Sequence, residues 1–433
     1  MSDYGAFLAR KAARTGEHGV DVDLADVHTS LHPWQARIVQ WAVRVGRAAI
    51  WASTGLGKTR MQLEWARLSA DTALLVTPLA VCAQTVREAA AIGITARYVR
   101  RQDDVVGPGI WVTNYEMVDH FDPAAFDAVV LDESSILKDV TSKTRDKLIA
   151  LFRHVPYRLA CTATPAPNDV AELANHAEFL GVASRREMLS TYFVHDQDGW
   201  RAKGHARAPM FRWMSGWAVA LVKPSDVGYP DRGYDLPPLD IVSETIPAEI
   251  EAEGQLFPTS LGGVSGRAQV RRQTLDARCA RAAGLVAAEP DEPWLMWCGL
   301  NAEADRLAEL VPDAVNVHGS MAPEEKAELL LDFADGKIRR LITKPGIAAF
   351  GLNWQHCARM AFVGLSDSYE QYFQCIRRCW RYGQTRPVRV HIVLSDLEGQ
   401  IATNVTRKER DAAQFTEELV AAMRNLDHWS TAA

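Results

Sequence analysis

Short runs of apolar and β-branched residues recur along the chain, and stretches with helical periodicity separate them. The runs lie at 72–78, 126–133 and 157–165, and then at 294–300, 314–320, 339–345, 359–365 and 388–394. Strands that are apolar on both faces are typical of parallel sheets that helices cover on both sides. The two series therefore predict two α/β lobes, with functional loops at the carboxyl ends of their strands.

The region between the two series has a looser pattern, and glycine and proline cluster at 223–240 as they do in linkers. We predict the following segments: an N-terminal extension at 1–30, a first lobe at 31–180, a helical and loop insertion with a linker at 181–290, a second lobe at 291–425 and a tail at 426–433. Within the insertion, one buried helix face is predicted from the spacing of Phe211, Met214, Trp217 and Leu221.

Charge and cysteine content limit the possible binding partners and the cellular compartment. The net charge of −6 excludes a uniformly basic surface, so a nucleic-acid partner must be bound in a local cleft. The arginines cluster at two places, namely Arg267, Arg271, Arg272, Arg278 and Arg281, and Arg377, Arg378, Arg381, Arg386 and Arg389. Arginines at helical spacing are typical of solvated faces. Seven scattered cysteines, no signal-peptide core and no apolar run of membrane-spanning length predict a soluble cytoplasmic protein.

The segment ASTGLGKT at 52–59 has the glycines, lysine and threonine of a phosphate-binding loop, although Ala52 stands where the general pattern has glycine. Glycines let backbone N–H groups approach phosphate oxygens, and a helix that begins near Lys58 directs its positive end at them. We expect Lys58 to reach the β- and γ-phosphates of a nucleotide and Thr59 to bind Mg²⁺. The residues predicted to contact the nucleotide here are Ser53, Thr54, Gly55, Leu56, Gly57, Lys58 and Thr59.

The run at 126–133 is an apolar strand that ends in two carboxylates, in the sequence FDAVVLDESS. This order predicts Asp132 at the metal ion and Glu133 beside an attacking water, the two roles that hydrolysis of a phosphoanhydride requires. A kinase would need an acceptor-substrate pocket and a lid, and the sequence has the pattern of neither.

The segment SDSYEQYFQCIRRCWRYGQ at 366–384 has the pattern of a capped amphipathic helix. At 100° per residue, one side carries Gln371, Gln374, Arg377, Arg378 and Arg381, and the other carries Tyr372, Phe373, Ile376, Cys379 and Trp380. We expect the aromatic side to pack and the arginines to point outward. Arginines brought from this lobe to a nucleotide on the other lobe can neutralise charge on the transferred phosphoryl group, which couples hydrolysis to movement.

Taken in order, these motifs resemble those of superfamily 2 helicases, in particular the Snf2-like group and its compact phage and prophage members. LHPWQ at 31–35 resembles the motif that binds adenine, which implies Gln35 on the base and Trp34 beside it. STGLGKT resembles motif I and DESS motif II, although Ser135 replaces a histidine that many relatives have. CTATPAPND at 161–169 resembles motif III, whose threonines would couple the nucleotide to the track, here Thr162 and Thr164.

The resemblance extends through the second lobe. QCIRRCWRYGQ at 374–384 resembles motif VI, which implies Gln374 as a coupling residue and Arg378 and Arg381 as the arginines on the γ-phosphate. Strand-end and coupling motifs at 74–81, 111–118, 317–321 and 341–354 imply nucleic-acid contacts by Thr77, Pro78, Asn114, Tyr115, His318, Gly319, Thr343, Lys344 and Asn353. The last of these segments also implies Gly351 at the nucleotide, in a loop that is longer than in eukaryotic remodellers.

As a whole, the resemblance implies two RecA-like P-loop lobes, ATP and Mg²⁺ as cofactors, and translocation along DNA without sequence preference, with duplex DNA as the expected track. Three alternatives stay open at this stage. The chain could be an RNA or single-strand helicase, or a DNA-recruiting subunit of a replication, recombination or restriction assembly without ATPase activity. A P-loop kinase or GTP switch is the third, but it predicts no arginine-bearing helix in a second lobe.

Overall fold

The computed structural model describes residues 18–139, 141–197, 199–247, 271–348, 353–366 and 368–424. The chain forms two compact units, one of Met1–Tyr234 with Asp411–Ala433 and one of Asp235–Arg410. Each unit contains one large sheet, whose paired strands are parallel. Helices flank both sheets, so the prediction of two α/β lobes is confirmed.

The strands of the first unit are β1 (Arg47–Ala52), β2 (Thr72–Thr77), β3 (Ala96–Tyr98), β4 (Gly109–Asn114), β5 (Ala128–Asp132), β6 (Tyr157–Cys161), β7 (Phe193–Asp196), β8 (Gly199–Ala202) and β9 (Ala218–Leu221). The large sheet has the order β3-β4-β2-β5-β6-β1-β9, and β7 and β8 form an antiparallel hairpin. Because β6 alone separates β1 from β5, the loops that follow these two strands lie at one edge of the sheet, about 10 Å apart.

The helices of the first unit are α1 (Pro33–Val45), α2 (Lys58–Ser69), α3 (Leu79–Ala91), α4 (Lys143–Phe152), α5 (Leu173–Leu180), α6 (Arg185–Tyr192) and α7 (Arg207–Met214). The core between helices and sheet includes the fully buried side chains of Ile38, Ile50, Trp65 and Trp217. Burial of large apolar side chains such as these is the main favourable contribution to folding of a unit of this size.

The predicted helix face at 211–221 is wrong in its second half. Helix α7 ends at Met214, and Ala218–Leu221 form β9, which pairs in parallel with β1. All four residues of β9 are buried, as in a strand that is covered on both faces. A short run in which every residue is apolar does not show whether the period is that of a helix or of a strand. The prediction that these side chains pack in a core is confirmed, since Phe211, Met214 and Leu221 are buried.

The strands of the second unit are β10 (Leu239–Ile246), β11 (Trp294–Cys298), β12 (Val315–Asn316), β13 (Arg340–Thr343), β14 (Arg359–Val363) and β15 (Val388–Ser395), in the order β10-β15-β14-β11-β13-β12. Its helices are α8 (Leu275–Ala288), α9 (Asn301–Leu310), α10 (Pro323–Ala334), α11 (Pro345–Ala348), α12 (Tyr369–Ile376) and the first part of α13 (Gly399–Arg424). The eight apolar runs of the sequence all contain a strand.

The region predicted as insertion and linker, 181–290, contributes β9 to the first sheet and β10 to the second. Residues of α13 from Asp411 onward belong to the first unit, where Phe415, Leu419 and Met423 pack in the core. The two units therefore divide the chain at different positions from the predicted segments. Of the described helices, none is both long and apolar enough to cross a membrane. All seven cysteines are buried free thiols.

Candidate active site

The loop between β1 and α2 has the local geometry of an anion-binding turn. Gly55 and Gly57 have φ values of 86° and 72°, a left-handed conformation that glycine adopts without steric cost. Helix α2 begins at Lys58, whose Nζ donates to the carbonyl of Ala52 at 2.9 Å. The hydroxyl of Thr54 is buried and has no hydrogen-bond partner among the described residues. A helix N-terminus, an ammonium group and an unused hydroxyl thus meet at this loop, which suits a phosphate.

Gln35 supports this loop from helix α1. Its Nε2 donates to the carbonyl of Leu56 at 2.9 Å, and its Oε1 accepts from the backbone N–H of His32 at 2.9 Å. A Cβ atom at Gly57 would lie 2.4 Å from the Gln35 amide nitrogen, so a larger residue there would displace the Gln35 side chain. Both ends of the Gln35 amide are therefore hydrogen-bonded within the first unit. Trp34, the other residue expected at the base, is buried, and its ring lies 5.7 Å from that of Tyr234.

Asp132 ends β5 and is held by two neutral donors. Gln62 of α2 donates to its Oδ1 at 2.7 Å, and Thr77 at the end of β2 donates to its Oδ2 at 3.0 Å. Two neutral hydrogen bonds orient a carboxylate and leave its negative charge for a cation. Thr77, which the resemblance assigned to nucleic acid, is fully buried, and its hydroxyl belongs to this carboxylate site.

The residues present fit a magnesium ion that is shared with a phosphorylated ligand. Among the described residues, no three His, Cys, Asp or Glu side chains are grouped as metal ligands. Mg²⁺ is commonly bound by one or two protein oxygens, and phosphate and water oxygens complete its coordination. The Asp132 carboxylate and the partly exposed hydroxyl-bearing residue Thr59, the second residue of α2, can supply such a pair.

Glu133 has an unusual backbone conformation for its residue type. Its φ of 53° and ψ of 51° are left-handed, and it is the one non-glycine residue with positive φ in the described part of the chain. This conformation costs about 1–2 kcal/mol and is most common at functional sites, where the surrounding structure enforces it. Two hydrogen bonds hold this turn: Tyr115 donates to the carbonyl of Asp132 at 2.5 Å, and Thr162 donates to the Glu133 carboxylate at 3.3 Å.

The two threonines after β6 connect to this carboxylate. Thr162 is fully buried, and its hydroxyl also accepts from the backbone N–H of Thr164 at 3.1 Å. The hydroxyl of Thr164 is buried without a hydrogen-bond partner among the residues that the structure describes. Thr162 thus orients Glu133, while Thr164 retains a donor for a further ligand.

His176 is a residue of this site that sequence reasoning missed. Its Nε2 lies 3.1 Å from the hydroxyl of Ser134, the residue after Glu133, and its ring meets that of Trp51 on β1 edge-on at 5.6 Å. Burial lowers the pKa of His176 to about 4, so the imidazole is neutral at pH 7. Helix α5 thus supplies an imidazole next to the loop in which Ser135 replaces the expected histidine. Nothing in the local sequence LANHAEFL distinguishes His176 from a core residue.

The other residues assigned to nucleic acid in the first unit differ in exposure. Asn114 is buried, its Oδ1 accepts from the Tyr98 hydroxyl at 2.9 Å, and its Nδ2 donates to Glu116. Tyr115 is also buried, and burial raises the pKa of its hydroxyl well above the usual value, so that it stays a donor. Pro78 is partly exposed and precedes α3.

The corresponding residues of the second unit lie around the ends of β12 and β13. His318 is partly exposed and contacts the Ser320 hydroxyl at 2.8 Å, while Gly319 is exposed. Thr343 is fully buried and donates to the carbonyl of Val317 at 3.2 Å, and Lys344 donates to Asn301. Asn353 is exposed. Gly351 lies outside the described residues.

The arginines near α12 are more buried than predicted. The helix spans Tyr369–Ile376, so it ends before the first of these arginines. Arg377 and Arg378 are 8% and 4% exposed, and the prediction that they point outward is wrong. The Arg377 guanidinium lies 5.0 Å from the ring centre of Phe373 and 4.3 Å from that of Trp380, a cation–π arrangement that favours burial of the charge.

Arg378 and Arg381 lie close to each other and to Arg377, so positive charge is concentrated here. Arg378 donates from Nη2 to the Oε1 of Gln374 at 3.2 Å, and Gln374 is itself fully buried. Burial first, and then the charges of Arg378 and Arg377, lower the pKa of Arg381 to about 9. Glu409 offsets part of the charge of Arg377. Arg377 and Arg378 add positive charge beside Arg381, which favours a negatively charged ligand at this part of the second unit.

Comparisons with known proteins bear on the second unit most directly. Residues 283–383 match the family model of the helicase conserved C-terminal domain. The comparison with curated proteins finds no match. Among solved structures, the chain is similar to the Sulfolobus solfataricus SWI2/SNF2 ATPase core in complex with dsDNA, at 16% identity and a TM-score of 0.45, over 94% of this chain and 98% of that one. The second unit is therefore similar, over residues 283–383, to the conserved C-terminal domain of helicases.

Proposed function

We propose that this chain is an ATP-dependent DNA translocase of the Snf2-like group of superfamily 2 helicases. The observation that carries the proposal is the convergence of the β1–α2 loop and the Asp132–Glu133 turn at one edge of the first sheet. A phosphate-binding lysine and a pair of carboxylates in this arrangement are the requirements of nucleotide hydrolysis. The similarity of residues 283–383 to a helicase C-terminal domain supports a motor over a kinase or a GTP switch.

In the proposed mechanism, Lys58 and the glycine loop bind the β- and γ-phosphates of ATP. Asp132 and Thr59 would hold Mg²⁺, which would supply positive charge beside the phosphates. Glu133 accepts a proton from the attacking water, which requires a carboxylate within hydrogen-bond reach of that water. Thr162 fixes the orientation of Glu133 through the hydrogen bond at 3.3 Å.

Two arginines complete the proposed chemistry. Arg378 and Arg381 are assigned to the terminal phosphate, where a guanidinium neutralises charge that develops during transfer. Their burial in a group of positive charges supports this assignment, since such a group gains most from an anion. Gln374 positions Arg378 through the hydrogen bond at 3.2 Å.

The proposed track is DNA, bound through its phosphates. Contacts to phosphates make affinity salt-dependent and indifferent to sequence. We propose duplex DNA as the preferred form. In the first unit, we assign the DNA contacts to the exposed surface near Pro78. In the second unit, we assign them to His318, Gly319 and Asn353, which are at least partly exposed.

The test is ATP hydrolysis with duplex DNA, single-stranded DNA or RNA added, together with displacement of a third strand from a DNA triplex. We expect duplex DNA to stimulate hydrolysis most and triplex displacement to require ATP. Lys58→Ala, which lacks the phosphate-binding amine, provides the background rate. Stimulation by RNA alone would favour an RNA helicase, and DNA binding without hydrolysis above the Lys58→Ala rate would favour a recruiting subunit.

A further inference from the structure

An open pocket lies in the first unit, formed by α4, α5, α6 and β8. Its volume is about 490 Å³, and its lining includes Arg145, Arg185, Arg186, Glu178 and Trp200. We call it the arginine pocket. Pockets that hold small organic ligands commonly have volumes of about 300–1,000 Å³, so this one accommodates more than a single phosphate group.

The arginine pocket is positively charged on a chain whose net charge is negative. Three guanidinium groups face one lining carboxylate, that of Glu178, which pairs with Arg145. Arg145 also pairs with Asp146, which lies outside the lining, so Arg185 and Arg186 carry the positive charge of the pocket. Burial first, and then the charge of Arg145, lower the pKa of Arg185, and the charges of Glu178 and Asp169 offset part of this effect. Arg186 is exposed, and its side chain has no hydrogen bond or ion pair within the described ranges. An excess of guanidinium groups, one of them unpaired, is the arrangement that binds phosphate well.

The wall of the pocket is aromatic on one side. Trp200 of β8 is partly exposed, and the ring of His195 on β7 supports it edge-on at 4.9 Å. Leu189 of α6 adds apolar surface. A supported indole ring beside guanidinium groups is suited to a ligand that has both a flat base and a phosphate, since each nucleic-acid base presents a π-face.

We propose that the arginine pocket binds one nucleotide unit of a nucleic-acid strand, with its phosphate on Arg185 and Arg186 and its base against Trp200. The inference rests on the proposed function, because it adds a contact for the track of a translocase. This contact takes an unpaired base, since a base that is paired within a duplex cannot stack on an indole ring. The base contact favours a nucleic-acid strand over a phosphopeptide, which offers phosphate without an adjoining base.

The pocket is joined to the candidate active site through helix α5. Arg185 donates from Nε to the Oδ1 of Asn175 at 3.1 Å, and Asn175 donates to the carbonyls of Leu137 and Lys138 at 2.7 and 3.1 Å. Those carbonyls belong to the turn that follows Glu133, and the next residue of α5, His176, contacts Ser134 of the same turn. Hydrogen bonds therefore connect a nucleic-acid strand bound in the pocket to the turn that carries the proposed general base.

The test is fluorescence anisotropy of the full chain with a labelled single-stranded oligonucleotide and with its duplex, over a series of salt concentrations. Arg186→Ala should weaken binding about fivefold and lower the slope of log affinity against log salt by about 1, as expected for the loss of one phosphate contact. Trp200→Ala should weaken binding of the single strand about tenfold with little change in slope, because it removes stacking and no charge.

The matched control is Arg87→Ala, which removes one exposed arginine from α3, a helix that does not line the pocket. Binding by Arg186→Ala and Trp200→Ala equal to that of Arg87→Ala would overturn the proposal. The proposal would also be overturned if both variants lost binding of free thymidine monophosphate while their binding of the oligonucleotide stayed unchanged. ATP hydrolysis by the wild type in the presence of nucleic acid separates the two proposals. If nucleic acid stimulates hydrolysis and the variants bind it normally, only the pocket proposal is refuted. If the variants bind nucleic acid more weakly and the wild type does not hydrolyse ATP, only the ATPase proposal is refuted.

Discussion

The two units use the same edge of a parallel sheet in different ways. In the first unit, the carboxyl ends of β1 and β5 carry Lys58, Asp132 and Glu133, whose hydrogen bonds go to loop carbonyls and neutral side chains. In the second unit, the carboxyl ends of β11, β14 and β15 adjoin a buried ion network of Arg271, Arg278, Glu303 and Glu398.

The network fills the edge of the second sheet. Arg278 donates to the Oε1 of Glu303 at 2.9 Å, and both side chains are fully buried. The other oxygen of Glu303 accepts from the backbone N–H groups of Gly299 and Leu300 at 2.8 and 2.9 Å. A Cβ atom at Gly364, where φ is 95°, would lie 2.9 Å from Arg278 Nη1, so the network also requires this glycine. The prediction that the arginines of this cluster form a solvated face is wrong for Arg278.

The difference separates a carboxylate whose charge is paired within the protein from the carboxylate that we propose as a metal ligand. Glu303 has an opposite charge and two amide donors, which satisfy it within the protein. Asp132 has two neutral donors, which orient it and leave its charge for a ligand. Burial alone does not separate the two, because both carboxylates are buried.

The largest expected effect is at Arg381, a charge of the second unit that lies outside the ion network. We expect Arg381→Ala to lower ATP turnover at least about a hundredfold, and about 10³-fold if it matches arginines that neutralise a transferred phosphoryl group. The control is Arg389→Ala, which removes an exposed arginine of the same unit that pairs with Asp240 at 3.0 Å. Steady-state hydrolysis and thermal melting of both variants provide the measurement. Equal turnover of the two variants would remove Arg381 from the active site.

The next effect compares the two buried carboxylates directly. Glu303→Gln leaves Arg278 with a weakened counter-charge and should lower the free energy of unfolding by about 3–5 kcal/mol. Asp132→Asn should lower it by about 1 kcal/mol, because its partners are neutral, yet it should abolish hydrolysis. Urea unfolding followed by tryptophan fluorescence measures both, since Trp297 of the second unit and Trp65 of the first are fully buried. Equal destabilisation by the two substitutions would contradict the distinction drawn here.

The smallest effect concerns pH and the turn that carries Glu133. Burial lowers the pKa of His176 from 6.5 to about 4, so the folded state favours the neutral imidazole. Its contribution to stability is therefore complete above about pH 6.5 and is lost as the pH falls toward 4, by about 2 kcal/mol between pH 7 and pH 5. His176→Gln should show a correspondingly weaker fall in urea stability over this range. His195→Gln, at an exposed histidine, should keep the wild-type dependence, and an unchanged slope in His176→Gln would show that His176 does not titrate in this way.

The sequence was sufficient for the strands within the eight apolar runs, because a parallel strand that is buried on both faces is apolar at nearly every position. It was also sufficient to place Asp132 at a strand end, since the switch from apolar run to carboxylate is local. It was insufficient where partners come from distant segments. Gln62 and His176 contact the Asp132–Glu133 turn from helices whose sequences have no local mark of that role.

The prediction that these arginines are exposed failed for a related reason. Helical arithmetic at 366–384 assumes that the helix continues, but α12 ends at Ile376 and Arg377 then packs against Trp380. Arg278 was placed on a surface because its partners, Glu303 and Glu398, are remote in sequence. Side-chain charge favours exposure unless tertiary structure supplies a counter-charge, and that counter-charge cannot be seen from spacing alone.

The central claim is that the left-handed turn at Glu133 places a general base beside the phosphates of ATP. Single-turnover hydrolysis and nucleotide affinity of Glu133→Gln, measured on the same preparation as the wild type, test it most directly. We predict an affinity for ATP within about threefold of the wild type and a hydrolysis rate lower by at least about 10²-fold, the usual contribution of a general base. A hydrolysis rate equal to that of the wild type would contradict the claim.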